Sequence, residues 1–258
     1  MVLNRRQNEM LTMMKQNGSI VIKDAAARFG VSIITIRRDL DDLIQEGMAQ
    51  KVYGGATLAP DTTSDTGYLP YFYARAERHR HEKELIGAAA AALVGEGDTI
   101  VLDVGTTALE VAKNLGDYHQ VTVLSASLMA LMELSKKNLI VYALGGQLRQ
   151  SDLALIGGTA YDTLSSFCID KAFIGAGGVT FENGMTDYNR DSAELCMTIS
   201  RGAKQVILVT DSSKFGQDVS FRIGMLDMVS TIVTDRGIPK DYIEKFQKRG
   251  IEVIVADE

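Results

Sequence analysis

Seven short apolar runs constrain this chain more than any other feature. They are TIVLDV (99–104), VTVLSA (121–126), LIVYAL (139–144), KAFIG (171–175), QVILVT (205–210), VSTIVTD (229–235) and IEVIVA (251–256). Stretches with helical spacing of apolar residues lie between most of them, at 82–94, 106–115, 127–136, 152–166, 191–202 and 240–248. Continuous apolar strands need cover on both faces, which helical crossovers provide. The expectation is an α/β domain with a mostly parallel sheet over 77–258.

Ahead of residue 58 the pattern is different. A helix is expected over 5–17, with Met10, Leu11 and Met14 as its apolar stripe and Asn17-Gly18 as its end. Ser19–Val21 reads as a short extended piece, and Lys23–Phe29 as a second helix closed by Gly30. Then comes VSIITIRRDLDDLIQEG (31–47), where Ser32 is a capping residue and Ile36, Leu40, Leu43 and Ile44 recur at three- and four-residue spacing. Arg37 and Arg38 fall early on this helix, where guanidinium forks meet phosphates or base edges. Two helices joined by a tight turn, the second basic at its start, form the helix-turn-helix pattern.

MAQKVYGGATLAP, from residue 48, adds two extended arms around Tyr53-Gly54-Gly55, which makes the module winged. Lys51 and Tyr53 are candidates for phosphate contact, Lys51 having the alternative of a solvated strand residue, while Met48 and Val52 are expected to pack on the helices. The winged helix-turn-helix domain is expected over 1–57. Residues 58–76 read as a linker whose second half, with Tyr68, Leu69, Tyr71, Phe72 and Tyr73, is too apolar for a free tether and is expected to dock.

Charge is divided in the same way. Residues 1–53 hold eight Lys/Arg against six Asp/Glu, net +2, which leaves 19 against 27, net -8, for the rest of a chain with net charge -6. A mildly basic head on an acidic body suits a small DNA-binding module joined to a domain that binds something else. No apolar run reaches the length of a membrane span, since the longest candidate is interrupted by Glu96 and Asp98. MVLNRRQNEM has neither the apolar stretch nor the cleavage site of a signal peptide, so a cytoplasmic protein is expected. Cys168 and Cys196 have no metal spacing and are expected to be reduced and buried. His79 and His81 read as a solvated helix face; no metal or cofactor is expected.

Ligands of open α/β sheets bind at the carboxyl ends of the strands. Here those ends carry Asp103-Val104-Gly105-Thr106-Thr107, Ser125-Ala126-Ser127, Gly145-Gly146, Gly175-Ala176-Gly177-Gly178 and Asp211-Ser212-Ser213-Lys214. Gly105 permits close backbone approach, and Thr106 and Thr107 add hydroxyls at a helix N-terminus, where free N–H groups favour an anion. Lys214 follows another strand end and supplies an ammonium. Asp103, Asp187 and Glu194 are candidates for hydroxyl or amine recognition. Lys171 begins a strand, so its side chain either enters the pocket or caps the opposite end of the sheet. The chain has no GxxxxGK[ST] and no GxGxxG turn, and its three histidines, 79, 81 and 119, lie outside these loops. A carboxylate-based isomerase carrying an accessory head is the enzymatic alternative.

The chain closely resembles the DeoR family of bacterial transcriptional regulators. The likeness runs through VSIITIRRDLDDLIQEG and KVYGGA in the head, then EKELIGAAAAALVGEGDTIVLDVGTT, LGGQLR, LIGG, DKAFIGAGGV and DSSKFG in the body. It implies a sugar-catabolism repressor, a homodimer or homotetramer, whose effector domain is similar to ribose-5-phosphate isomerase and responds to phosphorylated sugars or related anions. By the resemblance, Gly105, Thr106 and Thr107 form a phosphate loop, and Gly145, Gly146, Lys171, Gly175, Asp187, Glu194 and Lys214 line the pocket. Arg149 orients a loop or touches the ligand. Ser32, Thr35, Arg37 and Arg38 carry DNA contacts.

The chain departs from the family pattern twice. Isoleucines stand at 33 and 34, where the family usually has polar residues. Ile34, the more exposed by spacing, is expected either against thymine methyls in the major groove or as a plain surface residue. Ser125-Ala126-Ser127 stands where Thr-Asn-Ser is common, so a residue often able to bond sugar hydroxyls is absent.

Overall fold

The computed structural model describes residues 3–17, 19–45, 48–52, 54–58 and 69–257. The chain divides into two compact units, Met1–Glu77 and Arg78–Glu258.

In the first unit, α1 (Arg5–Asn17), β1 (Ile20–Val21), α2 (Ile22–Phe29) and α3 (Ile33–Gln45) are followed by the wing strands β2 (Ala49–Val52) and β3 (Gly55–Leu58). The wing strands pair antiparallel, and β3 also pairs with β1, in the order β1-β3-β2. Gly30 ends α2 at φ +63°, with its own N–H donating to Ala27 O and that of Val31 to Ala26 O. That double closure requires a left-handed residue, which glycine supplies at little cost, and it turns the chain into α3. Met10, Met14, Ile20, Ala25, Ala26, Ile36, Leu40 and Leu43 form the core. Arg6 on α1 forms an ion pair with buried Asp39 of α3, and Gln7 donates to Asp42, so polar contacts also hold α1 against α3.

Met48 and Val52, expected to pack on the helices, are more than a third exposed, and Val52 lines a recess with Leu40 and Ile44 of α3. Ala49 and Ala56 are the wing side chains that join the core among the described residues. Tyr53 and Tyr68 lie outside the described residues. Leu69–Glu77, read from sequence as the end of a linker, is a helix, α4, in which Phe72 is buried edge-on to Tyr73.

The second unit opens with α5 (Arg80–Ala91) and alternates through β4 (Thr99–Leu102), α6 (Thr106–Asn114), β5 (Thr122–Ser125), α7 (Leu128–Leu134) and β6 (Ile140–Ala143). A hairpin of β7 (Gln147–Arg149) and β8 (Ala154–Ile156) precedes α8 (Gly158–Ser165) and β9 (Ile169–Ile174). Then come β10 (Gly178–Thr180), β11 (Gly184–Asp187), α9 (Arg190–Gly202), β12 (Ala203–Val209) and β13 (Phe221–Gly224). The chain closes with β14 (Thr231–Asp235), α10 (Lys240–Gln247) and β15 (Glu252–Ala256).

The seven apolar runs are the seven strands of one sheet, ordered β15-β14-β12-β9-β4-β5-β6 and parallel throughout. Its main core includes Val101, Leu124, Ala172, Ile174, Val206, Leu208 and Ile232, packed with Leu195, Ile199 and Phe246 of the covering helices.

The structure corrects the helix expected over 152–166. Its first residues form β8, whose Leu155 N–H donates to Ala126 O, and the helix begins only at Gly158. The side-chain spacing there suits either state, and the neighbouring chain decides by taking the backbone hydrogen bonds. A small antiparallel sheet, β10-β11-β13, was also absent from the sequence reading because its strands are three or four residues long. Both cysteines are free; Cys196 is buried, but Cys168 is exposed at the approach to β9. Among the described residues no helix is long and apolar enough to cross a membrane.

Candidate nucleic-acid interface and anion pocket

In the first unit, α3 buries Ile36, Asp39, Leu40 and Leu43 and turns its other face outward. Ser32 fixes the start of that helix. Its hydroxyl accepts from Thr35 N–H at 3.1 Å and lies 2.9 Å from the Thr35 hydroxyl, so these two candidates first of all build the cap. Ile34, Arg37 and Arg38 are all exposed, Ile34 by 78%. The two arginines differ in direction. Arg37 lines a recess between α3 and the wing together with Asp41, Ile44, Lys51 and Val52. Arg38, about 100° further round the helix, lies on the outward face. Lys51 is exposed on β2, beside that recess.

In the second unit the strand order reverses between β4 and β9. The chain builds β4, β5 and β6 in one direction, then crosses back to the other side of β4 and adds β9, β12, β14 and β15. The carboxyl ends of β4 and β9 therefore flank a topological switch point, where open α/β sheets form their crevice. Asp103 and Gly105-Thr106-Thr107 lie at the first end and Gly175 at the second.

No side chain caps α6, whose N-cap is Gly105. The opening N–H groups of a helix have no partner within it and favour negative charge. Thr106 and Thr107 are 4% and 9% exposed, yet among the described residues neither hydroxyl makes a hydrogen bond. Their hydroxyl oxygens still reach solvent, Thr234 Oγ1 being the one buried side-chain polar atom without a partner among the described residues. Two solvent-reachable hydroxyls with open valences thus lie beside open helix N–H groups, an arrangement that suits a tetrahedral anion.

Asp103 is 6% exposed, and its Oδ2 accepts from Gly175 N–H at 3.2 Å. Burial pushes its carboxyl up to about 7 against the pull of the Gly175 and Val104 N–H groups, and the nearby Asp187 charge adds to the rise. Cys196 of α9 reaches the same spot, its Sγ 4.0 Å from Gly175 O, and burial pushes its thiol well up. A neutral carboxyl here both donates and accepts, which suits a ligand hydroxyl. Asp187, at the end of β11, accepts from Asn189 N–H at 2.9 Å. Lys214 lies in a 3-10 turn after β12, on the same edge of the sheet and two strands from β4.

Other candidates fall elsewhere or have a structural task. Lys171 sits at the amino end of β9, where it forms an ion pair with Asp98 before β4; it caps the opposite edge and is not a pocket residue. Arg149 is held by the protein itself. Its Nε donates to Asp152 at 2.8 Å, and its terminal nitrogens reach Asp152, Asn189 (2.9 Å) and Ser192 (2.6 Å). Of its two expected roles, this is the orienting one: it ties the β7–β8 hairpin to the start of α9. Glu194 forms a partly exposed ion pair with Arg190 on α9. Gly145 and Gly146 are at left-handed φ after β6, and a Cβ on Gly146 would fall 2.3 Å from Ile156 O, so the hairpin demands glycine there.

Ser125 and Ser127 are fully buried. Ser125 Oγ donates to Leu102 O and accepts from Ser127 N–H, while Ser127 caps α7. Sequence reasoning missed Cys196, Asp152, Asn189 and Ser192, because none belongs to a strand end.

Two family models match the chain. The DeoR-like helix-turn-helix domain covers residues 6–62 and the DeoR C terminal sensor domain residues 78–236. The HTH-type transcriptional regulator GolR of Listeria innocua is 32% identical, over 98% of this chain and 98% of its own. The transcriptional repressor AccR of Agrobacterium fabrum is 30% identical, over 95% of each chain. The glycerol-3-phosphate regulon repressor of Escherichia coli K12 is 27% identical, over 96% of this chain and 97% of its own. Among solved structures, ribose 5-phosphate isomerase A of Methanocaldococcus jannaschii aligns with 53% of this chain and 55% of its own, at 19% identity and a TM-score of 0.41. With a sensor-domain model matching most of its length and relatives aligned from end to end, the chain belongs to the DeoR family of transcriptional regulators.

Proposed function

We propose that the chain is a transcriptional repressor of an operon for carbohydrate use, and that a phosphorylated sugar or related anion releases it from DNA. The observation that carries the effector class is the uncapped start of α6, where the largely buried Thr106 and Thr107 present hydroxyls that make no hydrogen bond among the described residues, at the switch point of the sheet. A phosphate satisfies those donors together, and a sugar hydroxyl meets Asp103. Relatives named as a transcriptional repressor and as a glycerol-3-phosphate regulon repressor support both halves of the reading. They also favour a sensor over an isomerase. In this reading the chain acts as a homo-oligomer, so that two heads meet two half-sites, and the effector acts by binding one arrangement of the heads more tightly than the other.

The test is retention of DNA from the chain's own upstream region by the purified protein, titrated with sugar phosphates and with the same sugars unphosphorylated. Release by one phosphorylated sugar alone is the expected result. Equal retention of random DNA at moderate salt refutes the repressor reading, and indifference to every phosphate refutes the effector reading.

A further inference from the structure

We infer that Ile34 is a specificity-determining residue of the head, reading the 5-methyl group of a thymine in the operator. The inference rests on the operator-binding reading above and adds a base to it. Ile34 sits in the first turn of α3, on the face opposite buried Ile36, Leu40 and Leu43, and is 78% exposed. Ile33 beside it is 40% exposed, so the helix enters the groove with an apolar tip. Arg38 lies one turn along from Ile34 on the same face, and both flank the Ser32–Thr35 cap.

Nothing in the fold needs an apolar side chain there. A β-branched residue is a weaker helix former than the polar ones, and this one gains little burial. Single exposed apolar residues are common on protein surfaces. This one is placed where a recognition helix touches base edges. Phosphates, sugar oxygens and the hydrogen-bonding base edges have no use for a sec-butyl group. The major groove presents one apolar complement, the thymine methyl. Arg37, turned to the wing with Lys51, is left for the backbone and does not compete for that position.

The test uses sequences that the full-length protein enriches from a random DNA library. These are resynthesised with deoxyuridine in place of thymidine, one position at a time, which removes the methyl and keeps the base pairing. At one thymine of the recognised sequence, wild-type binding weakens about fourfold, the worth of one buried methyl group. Ile34→Ser, whose side chain is outward and carries no part of the core, binds the thymine and uracil forms equally. Wild-type indifference to every methyl, or the same sensitivity in Ile34→Ser, overturns the inference while leaving operator binding intact. Failure to enrich any sequence overturns the operator reading, and this inference with it.

Discussion

The N–H of Gly175 at the end of β9 donates to Oδ2 of Asp103 at the end of β4, closing the switch point of the sheet. It stabilises the ionised carboxyl, yet burial outweighs it and the group is pushed up to about 7. The folded state therefore holds this proton more tightly than the unfolded chain, where an aspartate titrates near 3.9. As pH rises from about 4 through about 7, the unfolded state becomes relatively favoured, and the whole penalty is present above 7. Asp103→Asn keeps an acceptor for Gly175 and never ionises. In urea unfolding at a series of pH values, its stability relative to wild type should rise across that window by on the order of 4 kcal/mol. A constant difference from pH 4 to pH 8 contradicts the assignment.

Thr106 and Thr107 give the sharpest test of the anion cradle. Replacing either with Val keeps the branched shape and removes one hydroxyl that makes no bond within the described protein. Each loss should weaken binding of the releasing sugar phosphate about tenfold, the worth of a hydrogen bond to a charged group. Operator affinity without effector should stay within about twofold. Calorimetry with the sugar phosphate and gel retention without it separate the two effects.

How much of this was legible beforehand follows from which forces decide each feature. The seven strands could be read because the central positions of a covered parallel sheet must be apolar, so burial is written directly in residue type. Gly105-Thr106-Thr107 could be read because a helix start leaves a chemical signature. Lys171 could not be placed, since a lysine at the start of a strand looks the same whichever edge its side chain reaches. The partner that fixes it, Asp98, is 73 residues away in sequence. Arg149 was visible as a candidate, but Asn189 and Ser192, which hold it, become its neighbours only when α9 packs beside the hairpin.

Arg149 should behave as a structural clamp. Its guanidinium and the Asp152 carboxylate are both largely buried, at 12% and 14% side-chain exposure. Arg149→Met leaves Asp152 without its partner, and losing one member of a buried pair typically costs about 3–5 kcal/mol. Thermal and urea unfolding should show that loss. At a temperature where the variant is folded, affinity for the sugar phosphate should change by less than about threefold. A selective loss of ligand binding with full stability would place Arg149 on the ligand instead.

The two arginines of α3 should separate in their response to salt and sequence. Arg37 lies in the recess with Lys51, beside the wing, and Arg38 on the outward face with Ile34. A side chain that only meets phosphate weakens binding to every sequence alike and, when removed, reduces the slope of log affinity against log salt by about one. One that meets a base edge relaxes discrimination at that base pair by about 1–3 kcal/mol. Arg37→Ala should therefore bind operator and random DNA with proportionate losses and a shallower salt dependence. Arg38→Ala should lose most of its affinity for operator and little for random DNA, with one base pair per half-site no longer distinguished. Binding titrations at several salt concentrations, on operator fragments carrying each single base change, measure both quantities at once. Exchanged behaviour of the two variants would mean that α3 enters the groove rotated toward the wing, and Ile34 would then face the phosphate backbone.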